Sequence, residues 1–351
     1  MNNRLFSITV PLVSVVLGLF AGAIIMWVFG FDALGAYVSL FQGAFGDMYV
    51  LGETIRAITP LILTGLAVAF AFKTGLFNIG VEGQLIVGWL AAVYVGVTFD
   101  LPAVIHIPLA IVAAGVAGAL WAFIPGFLKA KLHVHEVITT IMMNYIALNT
   151  ANYIIREFLK SSSERTERIV PSASLQIGWL TDLFDKSRIH IGIFIALLGA
   201  LALWFILTRT KLGFELRAVG FNSHASEYAG MNVKRNIILS MMISGVFAGI
   251  AGAVEGLGTY GYMPIRAGFT GIGFSGIAVA LLGANAAIGI ILAASLFGSL
   301  QVGALTMQGV SKVPTEIIDV VIALIIFFVA SKYVVEWILS KRKKKEQREV
   351  T

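Results

Sequence analysis

Apolar runs of about twenty residues recur along the whole chain, and each is closed by charge, glycine or proline. A run of that length spans the hydrocarbon core of a bilayer as a helix. Reading along the chain, such runs occupy residues 8–29, 57–72, the stretch from Gln84 to Phe99, 103–127, 137–155, 189–207, 236–254, 268–282, 286–305 and 316–339. Composition agrees: 58% of the 351 residues are apolar and only 13% are charged, against about 25% charged in a soluble domain. This excludes a disordered chain, an ordinary soluble enzyme and a nucleic-acid binder. It predicts an all-α, polytopic helix bundle of about ten membrane spans.

The first run follows Arg4 and continues past the small residues Ala21, Gly22 and Ala23 through Trp27, so it reads as an uncleaved span. Residues 31–56 carry Asp32, Asp47, Glu53 and Arg56 and read as an external loop with a surface helix. Basic residues favour the cytoplasmic side. Ten spans with both termini cytoplasmic place Lys73, Lys129, Lys131, residues 209–235 and the basic tail 341–351 inside, where the net charge of +6 concentrates. Residues 156–188, with six basic and five acidic side chains, then form an external loop. The domain plan is a single membrane domain, residues 1–340, followed by the tail, which reads as a topology signal at the lipid surface.

Several chemistries are absent. With no cysteine there is no disulfide or thiol catalysis. No lysine follows a glycine, so the phosphate-binding P-loop is missing and the chain has no ATPase site of its own. His133-Val134-His135-Glu136 lacks the His-Glu-x-x-His spacing that puts two imidazoles on one helix face, and no metal site is expected. Gly271-Ile272-Gly273-Phe274-Ser275-Gly276 fits a dinucleotide fingerprint but lies in an apolar run, where a broken or closely packed helix is the better account. The spacings Gly18/Gly22, Gly245/Gly249 and Gly252/Gly256 predict close helix contacts.

Charge at depth is costly, roughly 2.5–3.5 kcal/mol for a carboxylate at a span's centre. Glu82 is the most informative case. It sits in a glycine-rich break, with Gly75, Gly80 and Gly83 permitting unwound backbone and Asn78 and Gln84 adding hydrogen-bonding groups. Such irregular backbone is tolerated where it lines a cavity or is buried in protein. One reading is a pathway for a polar solute formed by Asn78, Glu82 and Gln84; the other is a helix end capped by Glu82. Glu316 and Asp319 read as first-turn residues favoured by the helix dipole, and Arg266 as an outer-surface residue.

Within 209–235, residues 217–231 contain a helix of about two turns, started by Asn222 or Ser223 and ended by Gly230. A helix this short needs a surface to rest on. Arg217, Ala218, Gly220, Asn222, Ala225, Gly230 and Met231 fit, in register, the pattern R-A-x-G-x-N-x-x-A-A-x-x-x-G-(I/M), with Ser226 at the second alanine. This resembles the cytoplasmic loop of bacterial ABC-importer permeases of the sugar, nucleoside and branched-chain amino acid group. Phe77–Gln84 and Phe274–Gly283 resemble further segments of that group, and their wording is most similar to nucleoside (guanosine-type) permeases. The match runs from about residue 57 to 330.

The resemblance implies a multi-pass subunit of a bacterial cell membrane importer for a nucleoside. It implies a coupling helix, with Arg217, Gly220, Asn222, Ala225, Glu227 and Gly230 docking on an ATP-binding subunit that holds the ATP. It also implies a second homologous permease and an extracytoplasmic solute-binding lipoprotein contacting residues 156–188, with no cofactor in this chain. The alternatives are a simple-sugar permease, an ion-coupled secondary transporter, which usually shows inverted repeats, and, with none of its motifs present, an intramembrane hydrolase.

Overall fold

The computed structural model describes residues 3–159 and 163–330. The basic tail 341–351 and the end of the 316–339 run lie outside the described residues. In chain order the helices are α1 (Asn3–Val28), α2 (Ala33–Phe45), α3 (Met48–Phe72), α4 (Val81–Thr98), α5 (Ala103–Leu132), α6 (Glu136–Ile154) and α7 (Gly178–Leu183). They continue with α8 (Gly192–Arg209), α9 (Lys211–Phe221), α10 (Ser223–Tyr228), α11 (Val233–Val254), α12 (Ile272–Leu282), α13 (Ala287–Ser311) and α14 (Thr315–Ala330). No strand forms among the described residues; one isolated bridge pairs Arg165 with Pro264. Among the described residues, six segments are long and apolar enough to cross a bilayer: Met48–Phe72, Val81–Thr98, Ala103–Leu132, Gly192–Arg209, Val233–Tyr260 and Ala287–Ser311.

The described helices group into two compact units, one of Met48–Ser299 and one of residues 3–47 together with 300–330. In the second of these, α1 packs on α14. A Cβ at Gly18 would overlap the backbone of Ile325, and one at Gly22 would overlap Val321 and the Tyr37 hydroxyl, so these glycines set how closely the helices approach. The Tyr37 hydroxyl donates to the Leu19 carbonyl at 2.6 Å, tying α2 to α1.

In the larger unit α11 runs between α5, α4 and α3. Gly245 and Gly249 face the carbonyls of Gly118 and Ala114 on α5, while Gly252 and Gly256 face Leu85 and Trp89 on α4. These two glycine pairs, seven residues apart and so on one face, therefore meet two different partner helices at successive levels.

Residues 31–56 differ from the expected external loop. They form α2 and the first turns of α3. Asp32 caps α2 by accepting from the Leu34 amide at 3.1 Å. Glu53, which is buried, accepts from Arg56 Nε at 2.9 Å, Arg188 Nη2 at 2.7 Å and the Arg188 amide at 2.8 Å. Neutralised in this way, the charges no longer stop the helix from starting nine residues before the apolar run. Hydrogen bonding to Glu53 raises the pKa of Arg188 above its ordinary value.

The apolar run 268–282 is likewise shorter as a helix than as a sequence. α12 starts only at Ile272, after Gly271 at φ +79°. The GxGxxG stretch is thus a helix start inside the bundle. Ala284 and Asn285 (φ 52° and 53°) reverse the chain into α13.

Candidate functional site

The break after α3 is built almost wholly from side chains that replace missing helix hydrogen bonds. Gly75 takes φ +74° and turns the chain back toward the bundle. Asn78, Glu82 and Gln84 are all fully buried. The Asn78 and Gln84 amides pair face to face, Asn78 Nδ2 donating to Gln84 Oε1 at 3.0 Å and Gln84 Nε2 donating to Asn78 Oδ1 at 3.2 Å. Asn78 Nδ2 also donates to the Ser244 hydroxyl at 2.8 Å, and Ser244 Oγ in turn donates to the Ala67 carbonyl at 2.6 Å. On the other side Asn144 of α6 accepts from the Gly83 amide at 2.8 Å and donates to the Ile79 carbonyl at 3.0 Å. Irregular backbone is thereby satisfied without water.

Glu82 reaches across to a segment almost two hundred residues away. One carboxylate oxygen accepts from the Thr270 amide and hydroxyl, both at 2.6 Å, and from the Gly271 amide at 3.0 Å. The other accepts from the Gly273 amide at 2.7 Å. These are the orphan donors at the start of α12, where the helix dipole also favours negative charge. Glu82 thus caps a helix, as one sequence reading held, but a distant one.

The 209–235 stretch forms two short helices. Thr210 caps α9 by accepting from the Gly213 amide at 3.1 Å. Asn222 closes α9 and caps α10, accepting from the Ala225 amide at 3.0 Å, and Gly230 turns away at φ +81°. Ala225 and Glu227 are exposed. Phe221 before α10 and Tyr228 at its end have 92% and 95% of their surface open, a pair of exposed aromatic rings that the sequence reading passed over. Arg217 folds back to donate to the Gly213 carbonyl at 3.3 Å. Gly220 lies on the backbone of Lys73 and Thr74, so α9 rests directly on the break that leads to Asn78.

On the far side of the unit, residues of the 156–188 loop face the π-helical turn Glu255–Tyr260 across an open cavity of about 730 Å³. Arg168, Gln176, Arg188, Thr259, Tyr260 and Tyr262 give it mixed polar and aromatic walls. Arg266 is half-buried. Its guanidinium lies 5.5 Å from the Trp89 ring, and its backbone amide and carbonyl are both held by the Asn152 side chain, at 3.1 and 2.7 Å. Glu255 is buried and accepts from the Thr259 hydroxyl at 3.4 Å. The histidines of 133–136 are consumed by helix ends: His133 is the left-handed C-cap of α5, and His135 caps α6 by accepting from the Val137 amide at 3.4 Å. Glu136 pairs with Lys129 at 2.7 Å.

The partners Ser244, Asn144, Asn152 and Thr270 were not singled out by the sequence reading, whereas Gly271 and Gly273 lie in the stretch it gave as a broken or closely packed helix. Each of the four is a polar residue in an apolar run, and only the fold brings it to its partner.

Comparison with known proteins adds an independent line. A family model described as branched-chain amino acid transport system / permease component matches residues 50–330. The guanosine ABC transporter permease protein NupP of Bacillus subtilis is 59% identical, over 98% of this chain and 99% of its own length. The nucleoside ABC transporter permease protein NupB of Lactococcus lactis is 43% identical, over 100% of this chain and 98% of its own. The glucose ABC transporter permease protein TsgB13 of Haloferax volcanii is 35% identical, over 91% and 86%.

Proposed function

Because the chain belongs to the family of branched-chain amino acid transport system permease components, we propose that it is the membrane subunit of an ATP-driven importer carrying a nucleoside, guanosine or a related one, into the bacterial cytoplasm. The observation that carries the substrate class is the 59% identity to a guanosine permease over nearly the full length of both chains.

In this reading ten spans keep both termini and the 341–351 tail in the cytoplasm. An ATP-binding subunit seats on Arg217, Gly220, Asn222, Ala225, Glu227 and Gly230 and supplies all the ATP chemistry. The exposed α10, flanked by Phe221 and Tyr228, supports this docking role. A second homologous permease completes the solute path, and a binding lipoprotein delivers solute to the 156–188 loop, whose polar cavity suits such a handover. Asn78, Glu82 and Gln84 frame the pathway by fixing the segments around it. ATP binding closes the partner domains, and the subunit that binds two permease states unequally shifts their populations.

Uptake of labelled guanosine by cells expressing the complete importer tests the substrate. Ala225→Glu tests the coupling: it should abolish transport-linked ATP hydrolysis while the chain still inserts, and wild-type uptake by that variant would sink the docking role. The identity to a glucose permease favours a second reading, a simple-sugar substrate, which competition between guanosine and sugars for uptake separates from the first.

A further inference from the structure

The segment Arg266–Gly271 is non-helical, yet it lies alongside two helices of the bundle. Its start is held by Asn152 of α6 and its end by Glu82 of α4. Gly83, next to Glu82, is held by Asn144 of α6. Asn144 and Asn152 are eight residues apart, about 12 Å along a helix, so the segment descends well inside α6.

Within it, the amides of Ala267, Gly268 and Phe269 have no hydrogen-bond partner among the described residues. Ala267 and Gly268 are exposed, and a Cβ placed at Gly268 or Gly271 meets no atom within 4 Å. Lipid cannot satisfy such backbone; at this depth it is tolerated only against protein or a water-filled cavity. The side chains here are aromatic. Phe269 packs edge-on against Tyr145 (centroids 5.0 Å apart) and Phe274 (5.6 Å), and Tyr145 and Phe274 keep 53% and 36% of their surface open. Asn149, one turn along α6 from Tyr145, is also exposed. Unpartnered amides beside open aromatic rings suit a flat, polar-edged solute rather than an acyl chain.

We infer that Ala267–Phe269, with Tyr145 and Phe274, forms a wet surface on which the base of the transported nucleoside stacks during passage. This rests on the nucleoside reading above and assigns that reading its solute-contacting residues.

The absence of native cysteine makes the test direct. Gly268→Cys has open space and an ordinary φ. The variant is assembled with its partner chains in membrane vesicles and treated with a charged, water-borne methanethiosulfonate. The expected result is modification of this chain, slowed about tenfold or more by saturating guanosine and not by ribose. Modification only by a lipid-soluble maleimide, or by neither reagent, overturns the inference, as does modification that guanosine leaves unchanged in vesicles that transport it. A second variant, Phe269→Leu, should raise the KM for guanosine about tenfold, the scale of one lost base–aromatic stack, with Gly268→Cys labelling in the same background reporting an intact surface; an unchanged KM overturns the stacking role. Wild-type vesicles that take up no nucleoside at all overturn the proposed function instead, and that result is read before any variant is made.

Discussion

Glu82 shows how a carboxylate can sit fully buried in an apolar bundle. Its four donors come from one helix start, and each is a backbone or hydroxyl group that would otherwise be orphaned. Hydrogen bonds to a charged acceptor contribute about 1.5–3 kcal/mol each, and removing one partner leaves the other desolvated. Glu82→Gln keeps the size but turns a donor toward one of these N–H groups. It is expected to cost about 3 kcal/mol, read as earlier thermal unfolding of the detergent-solubilised complex. The sequence made Glu82, Asn78 and Gln84 conspicuous, because polar side chains in a glycine-rich break between apolar runs demand an explanation. It could not name their partners. Thr270 is an ordinary residue of an apolar stretch, and although the glycines 271 and 273 signal a broken helix, nothing within a window of twenty residues marks them as facing a carboxylate.

At the scale of elements, legibility depended on whether the signal was local. Asn222 and Gly230 delimit α10 because caps act within one turn. Asn222→Ala is expected to cost about 1 kcal/mol in the local stability of that helix, seen as faster amide exchange over residues 223–228 in the solubilised protein. The glycine spacings were legible as close contacts but not as to partner: α11 sets Gly245/Gly249 against α5, and Gly252 with Gly256 of the following π-helical turn meets α4. Gly245→Val places methyls against the Gly118 carbonyl, which cannot move without its helix. A loss of about 2–3 kcal/mol, measured by thermal unfolding, is expected, whereas the same change at the open Gly178 should be nearly silent. The start of α3 was misjudged for a physical reason: Glu53 and Arg56 look like loop charges until Arg188, 135 residues on, closes the ion pair.

For the molecule as a whole, hydropathy announced a polytopic membrane bundle, and six segments carry that reading by length and composition. What drives such a bundle is a question for the assembled protein. A chain that works only through an ATPase partner should, when purified alone into vesicles, take up no guanosine under an imposed proton or sodium gradient. Uptake under a gradient alone would instead favour an ion-coupled transporter. If that partner docks on α10 as proposed, its route to the interior is short: α9 rests through Gly220 on Lys73 and Thr74, four residues before the Asn78–Gln84 pair.

The Glu82 cap also has a consequence in time. Its first donor lies 188 residues downstream, and at 5–20 residues per second a ribosome needs roughly 10–40 seconds to make that stretch. During synthesis the carboxylate therefore enters the membrane long before the helix it caps exists. The setting around Glu82 cannot be completed until the last third of the chain has been delivered, so a nascent chain stalled before Thr270 carries this carboxylate without any of its four donors.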